Sequence, residues 1–261
     1  MDQSKLPDKQ RRRLSTQAGI LAGVGVGVVV TLVLIVVIVA NSTTTSQSPS
    51  TGAVITTSLS TEKVTFKDDF SNRAGGWDDA GSKRVGGHYS NHAYRLYADP
   101  AVGDLAVGSP RKATRVYPSA PPNLRIAVDA RPIAGSDQDV GYHIFCRADE
   151  KNGAYAFIIW SGYVAIAKYD SSGYHELKTA DTSAAHANAT NRMQGECTTV
   201  EGQQAVHLVF SVNGQVVADV TDTQNPFQTG TVGLGVKAGT NAHKAEKAVE
   251  AEFDNFVVTQ V

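Results

Sequence analysis

Between positions 18 and 40 the chain has no charged residue and only one hydroxyl, Thr31. Such a run of 23 residues cannot be a water-facing surface helix. Coiled as a helix it would span roughly 34 Å, against about 30 Å for a bilayer's hydrocarbon core. Cysteine is nearly absent. There are two, Cys146 and Cys197, with no Cys-x-x-Cys and no histidine at ligand spacing, which argues against zinc and dithiol chemistry. No Gly-x-Ser-x-Gly, His-Glu-x-x-His or P-loop occurs. Beyond the apolar run 23 acidic residues outnumber 19 basic ones, which argues against a nucleic-acid partner. No long amphipathic helical period appears there, so βαβ crossovers are not expected.

What is present divides the chain into four parts. Residues 1–17 form a basic tail with Lys5, Lys9, Arg11, Arg12 and Arg13 against Asp2 and Asp8. Basic residues close to a span stay on the cytoplasmic side. Residues 18–40 are therefore expected to be a transmembrane helix with a cytoplasmic N-terminus and an extracytoplasmic remainder, placing the protein in the cell membrane as a single-pass signal-anchor. The alternative is a cleaved signal peptide. Its apolar region is usually about 7–15 residues, and Ile38-Val39-Ala40 fits its cleavage site poorly. Gly19, Gly23 and Gly27 fall on one helix face, which suggests helix pairing and a homodimer, although glycine is also common in membrane helices. Residues 41–63 form a flexible stalk; 13 of the 21 residues at 41–61 are Ser or Thr. Asn41 and Asn188 each begin an N-glycosylation acceptor triplet.

Residues 64–261 read as one all-β domain. Short alternating segments are expected as strands at 64–70, 88–97, 104–107, 124–131, 140–147, 155–160, 163–169, 174–178, 192–200, 205–212, 215–220, 231–236 and 249–258. Asn213-Gly214 is the strongest hairpin signal, and Ser161-Gly162 is a second. The pattern fits a two-sheet antiparallel jelly-roll sandwich. An even cysteine pair in an oxidising compartment reads as the disulfide Cys146–Cys197.

Several segments carry a resemblance when taken in order. They are Asp68-Asp69-Phe70-Ser71 with Gly76-Trp77, Gly141-Tyr142-His143-Ile144-Phe145-Cys146-Arg147, the segments at 152–159 and 163–168, and Glu196-Cys197. Phe210-Ser211-Val212-Asn213-Gly214, Gly230-Thr231-Val232-Gly233-Leu234 and Phe253-Asp254-Asn255-Phe256-Val257-Val258 follow. Across 64–261 the chain resembles the concanavalin A-like lectin/glucanase superfamily, in its laminin-G-like and keto-disaccharide-hydrolase-like branches. The resemblance implies a jelly roll whose first and last strands are adjacent and, in some relatives, sugar binding on a sheet face.

Catalysis in such relatives uses a Glu-x-Asp-x-x-Glu strand. Here Glu252 and Asp254 are present but Val257 replaces the third carboxylate, so no catalytic residue is assigned. Simple alternation places Phe253, Asn255 and Val257 on one face and Glu252, Asp254 and Phe256 on the other. For binding, alternation on 141–147 groups His143, Phe145 and Arg147. Neighbouring strands offer Tyr155, Trp160, Tyr163, Lys168 and Tyr169. The candidate ligand-binding set is His143, Arg147, Tyr155, Trp160 and Lys168; the alternative is that Arg147 pairs with Asp149 and nothing binds. No cofactor is expected, apart from a structural Ca²⁺ held by Asp68, Asp69 and Asp254 if the first and last strands pair. Trp77 is expected to plug the core.

These readings converge on a membrane-anchored, non-catalytic lectin-like module that recognises a cell-surface or extracellular carbohydrate. The alternatives are a glycan-active hydrolase and an envelope protein-interaction module.

Overall fold

The computed structural model describes residues 62–82, 84–99, 105–108, 122–133, 140–160, 162–181, 183–238 and 248–261. The span expected at 18–40, its Gly19/Gly23/Gly27 face, the tail and most of the stalk lie outside the described residues. Among the described residues no helix is long and apolar enough to cross a membrane.

Fifteen strands are present: β1 Lys63–Asp68, β2 Ala80–Gly81, β3 Val85–Ser90, β4 Ala93–Ala98, β5 Leu105–Gly108, β6 Leu124–Pro132, β7 Val140–Asp149, β8 Gly153–Trp160, β9 Tyr163–Asp170, β10 Gly173–Asp181, β11 Asn191–Thr199, β12 Val206–Val212, β13 Gln215–Asp222, β14 Thr231–Ala238 and β15 Val249–Gln260. One short 3₁₀ turn, Arg73–Gly75, is the only helical element among the described residues. Two sheets result. One runs β13-β12-β11-β6-β15-β4-β3-β2, with β1 also paired to β15; the other runs β10-β9-β8-β7-β14-β5. All pairings are antiparallel. The expected adjacency of first and last strands is present, with Lys63 opposite Gln260.

The interior lies between the sheets. Tyr142, Ile144, Phe157, Ile159, Ile166 and Leu234 of the six-stranded sheet meet Leu124, Ile126, Met193, Leu208, Phe210 and Phe253 of the nine-stranded sheet. Alternation dictates this: on β8 the odd-numbered residues 155, 157 and 159 enter the core. Cys146 of β7 and Cys197 of β11 form the expected disulfide, so the bond ties one sheet to the other. Trp77 packs edge-on to Phe70 and Phe256, as the plug expected of it.

Three local features differ from simple alternation. The segment read as one strand at 88–97 is a hairpin: Asn91 and His92 both take positive φ, 50° and 60°, and turn β3 into β4. This is the I′-type geometry also seen at Asn213-Gly214 (51° and 84°). On β15 a bulge at Asn255 (φ 52°) inserts a residue, so Phe253 and Phe256 both point inward. Glu252, Asp254 and Val257 consequently share the less buried face, which corrects the grouping expected above. On β7 the register shifts between Cys146 and Asp149, and Arg147 itself takes φ 51°.

Candidate functional site

The two faces of the six-stranded sheet differ in chemistry. The face turned away from the nine-stranded sheet, here the distal face, has a buried floor of Ala154, Ala156 and Ile158 on β8 and Ala165 and Ala167 on β9. Aromatic rings stand at its ends. Trp160 and Tyr163 flank the β8–β9 hairpin and stack with centroids 6.3 Å apart. Phe145, Tyr169 and Tyr174 gather at the other end, with Tyr169 lying 6.1 Å from Phe145 and 5.1 Å from Tyr174. His143 lies between the groups, 6.0 Å from Trp160 and 6.3 Å from Tyr169. Gly141 makes room for the indole, since an added Cβ would sit 2.9 Å from the Trp160 ring.

Four polar atoms of this face lack a hydrogen-bond partner. Both ring nitrogens of His143, the indole Nε1 of Trp160 and the Tyr169 hydroxyl are shielded from water and make no hydrogen bond. Buried polar groups in folded proteins are nearly always paired, and each exception calls for an explanation. Burial and then the nearby Lys237 charge push the His143 pKa down to about 3, so the imidazole is neutral and offers one donor and one acceptor. The Lys237 ammonium, from β14, lies 5.5 Å from the Tyr169 ring centroid and 5.2 Å from that of Tyr174. Burial pushes the hydroxyls of both tyrosines upward, so both stay protonated.

Of the five candidate binding residues, the distal face holds His143 and Trp160. Arg147, Tyr155 and Lys168 lie on the opposite side and make protein contacts there. Lys168 donates to Asp222 Oδ2 at 2.9 Å and to the carbonyls of Gln224 and Asn225 at 2.6 and 2.8 Å. Tyr155 Oη donates to the same carboxylate oxygen at 2.6 Å and accepts from the Phe227 N–H at 3.1 Å. Arg147 donates to the Phe227 carbonyl at 2.7 Å, to Thr199 Oγ1 at 2.9 Å and to the Pro122 carbonyl. Together they pin the connection 222–228 against the sheet. Burial pushes the Asp222 pKa up, but hydrogen bonds from Tyr155, Lys168 and the Gln224 N–H outweigh it and hold the carboxyl below its usual range. Arg147 leaves the expected His143/Phe145 face because the β7 bulge turns it inward, where its backbone packs against Gly230; a Cβ there would collide with it. Asp149, the expected alternative partner, instead caps the turn at 151–152.

Of the three aspartates expected to hold Ca²⁺, Asp254 has its pKa raised by burial, and then by the neighbouring charges of Asp129, Asp69 and Glu252. Asp68 accepts from the Phe70 N–H and from Trp77 Nε1, and Asp69 accepts from Ser71. Among the described residues no group of three or more His, Cys, Asp or Glu is placed to hold a metal ion. Glu252, on the remnant of the hydrolase pattern, is held by Arg95 at 2.9 Å and Arg131 at 2.6 Å. Asn188 of the second acceptor triplet is exposed between β10 and β11. Tyr174 and Lys237 were missing from the candidate set. The alternation read on β14 stopped at Val236, one residue short of the lysine.

No protein-family model and no curated protein matches the chain. Among solved structures, carbohydrate-binding module CBM66 from Bacillus subtilis superposes with a TM-score of 0.51 at 16% identity, covering 71% of this chain and 96% of the module. A β-glucanase of Bacillus licheniformis superposes at 0.49 and 14% identity, covering 76% of this chain and 98% of that enzyme. Sheep galectin-11 gives 0.37 at 11% identity, covering 54% and 90%. The domain shares the jelly-roll fold of the CBM66 module. At this identity the likeness is one of fold alone.

Proposed function

We propose that this chain is a membrane-anchored, non-catalytic glycan-binding protein, with the distal face of the six-stranded sheet as its binding surface. One observation carries the reading. His143, Trp160 and Tyr169 hold polar atoms that are shielded from water and lack hydrogen-bond partners, on a floor of four alanines and Ile158 between aromatic rings. Pyranose rings suit such a surface: their C–H faces stack on aromatics and their hydroxyls hydrogen-bond the polar atoms. The fold shared with the CBM66 module supports the same class of ligand. Two arginines engage Glu252, and the strand lacks a third carboxylate; both favour binding over hydrolysis. The uncharged run at 18–40 and the basic tail support an anchor with the β domain extracytoplasmic, where its disulfide is at home.

The test is glycan-array binding by the full chain in detergent micelles, for wild type and Trp160→Ala. Selective binding lost in the variant is expected. A silent array, or binding that survives in the variant, would overturn the assignment of this face. Release of reducing ends from any bound polysaccharide would transfer the protein to the hydrolases.

A further inference from the structure

The distal face offers far more hydrogen-bond donors than acceptors. Trp160 Nε1 can only donate. The Lys237 ammonium can only donate, and its contacts among the described residues are the rings of Tyr169 and Tyr174. Neutral His143 and the Tyr169 hydroxyl each add a donor as well as an acceptor. The carboxylate nearest the tyrosine end, Glu176, is exposed and already accepts from the Tyr174 hydroxyl at 3.0 Å. A neutral sugar presents hydroxyls that need acceptors as much as donors. An anion needs donors only. An aromatic face attracts a cation, and at a partly buried site an arriving anion gains more from it than it would in bulk solvent.

We infer that the distal face recognises an acidic glycan, a sugar bearing a carboxylate or sulfate, with Lys237 meeting the anion and Trp160 stacking on the ring. This rests on the glycan-binding reading above and narrows it. Carboxylate and sulfate share the required chemistry, and the choice between them is left to the probes.

The experiment measures binding of the full chain in detergent to an oligogalacturonate, a chondroitin sulfate oligosaccharide and a cello-oligosaccharide of matched length. An acidic probe should bind at least about tenfold more tightly than the neutral one, a difference of about 1.4 kcal/mol that one charge-assisted contact can supply. Lys237→Gln should remove most of that preference, and raising salt to about 1 M should do the same to wild type. Whichever acidic probe binds names the anion. Arg84→Gln, which removes one positive charge from an exposed pair elsewhere, controls for net charge and should change nothing. Thermal unfolding of each variant reports that it is folded. If the neutral probe binds as well as the acidic ones and Lys237→Gln is indifferent, while Trp160→Ala abolishes binding, the glycan site stands and the acidic preference falls. If acidic binding survives in both Lys237→Gln and Trp160→Ala, the anion is held elsewhere and the inference is wrong. If no probe binds and the array is silent, both readings fall together.

Discussion

The two faces of the six-stranded sheet handle buried polarity in opposite ways. On the inner side Lys168, Asp222 and Tyr155 use one another and the 222–228 backbone as partners, and Arg147 reaches that backbone with its terminal nitrogens while its Nε stays unpaired. A few ångströms away through the same strands, His143, Trp160 and Tyr169 hold polar atoms with none. Lys168 and Tyr169 are consecutive residues on β9, yet one serves the interior and the other the distal face. A satisfied buried network rigidifies a fold, whereas each unpaired buried polar atom is a cost that calls for an explanation. On the proposed reading, the difference separates the part of the sheet that holds the domain together from the part that meets a glycan.

The comparison can be broken most severely on the inner side. Asp222→Ala leaves the Lys168 ammonium buried without its carboxylate and should cost about 3–5 kcal/mol of stability, read by denaturant unfolding of the full chain. Replacing Lys168 and Asp222 together with a volume-matched Met and Leu should recover much of that loss. If Asp222→Ala alone were neutral, the network would have no structural role.

Next in size is the bond joining the sheets. Cys146 and Cys197 close a loop of 51 residues, and replacing both with Ser should cost about 2–5 kcal/mol without moving glycan binding by more than a few fold. A large change in affinity with little change in stability would reverse the assignment of the two faces.

On the distal side the expected sign is opposite. His143→Phe removes two unpaired buried nitrogens and keeps the ring, so stability should rise by about 1 kcal/mol while binding weakens. The wild-type histidine also sets a pH dependence. Its folded pKa, about 3, lies below the unfolded value of about 6.5, so the unfolded chain takes up the extra proton. Stability is therefore fully present above about pH 6.5 and lost as pH falls toward 3, by up to about 1.4 kcal/mol per pH unit from this group. Denaturant midpoints across pH 4–7 should flatten in His143→Phe; an unchanged slope would mean the imidazole is not buried neutral.

The smallest effect belongs to neither face. Arg84 and Asp99 form an exposed pair, and Arg84→Ala should change stability by less than about 0.5 kcal/mol. A larger loss would imply that electrostatics outside the sheet interior hold the fold.

Much of the architecture was legible because a strand's side chains alternate strictly and its turns have a chemical signature. Asn213-Gly214 announced its hairpin; Asn91-His92 did not, because its second position lacks the glycine that marks the usual two-residue turn. The disulfide followed from two cysteines and a compartment argument. The site was half legible. Parity alone separates Tyr155 from Trp160, five residues apart on one strand, and Lys168 from Tyr169; grouping them by chemistry overrode that parity. Arg147 was beyond reach, since a left-handed arginine at a bulge has no sequence mark. Asn255 did carry a mark, asparagine being tolerant of positive φ, and its bulge rearranged the face on which the hydrolase-like carboxylates lie.

Strand β15 has a consequence in time as well as in space. Its first half pairs with β4, its second half with β1, and its other edge with β6. As the domain emerges, these three strands wait with open edges for one segment that arrives after all of them. The middle of the nine-stranded sheet is therefore the last region to close, and its pairings span almost the full length of the domain, an order of assembly that makes folding slow and the intermediates adhesive. The exposed edge of β6 during that interval is where a chaperone, or a mispaired neighbour, would find its grip.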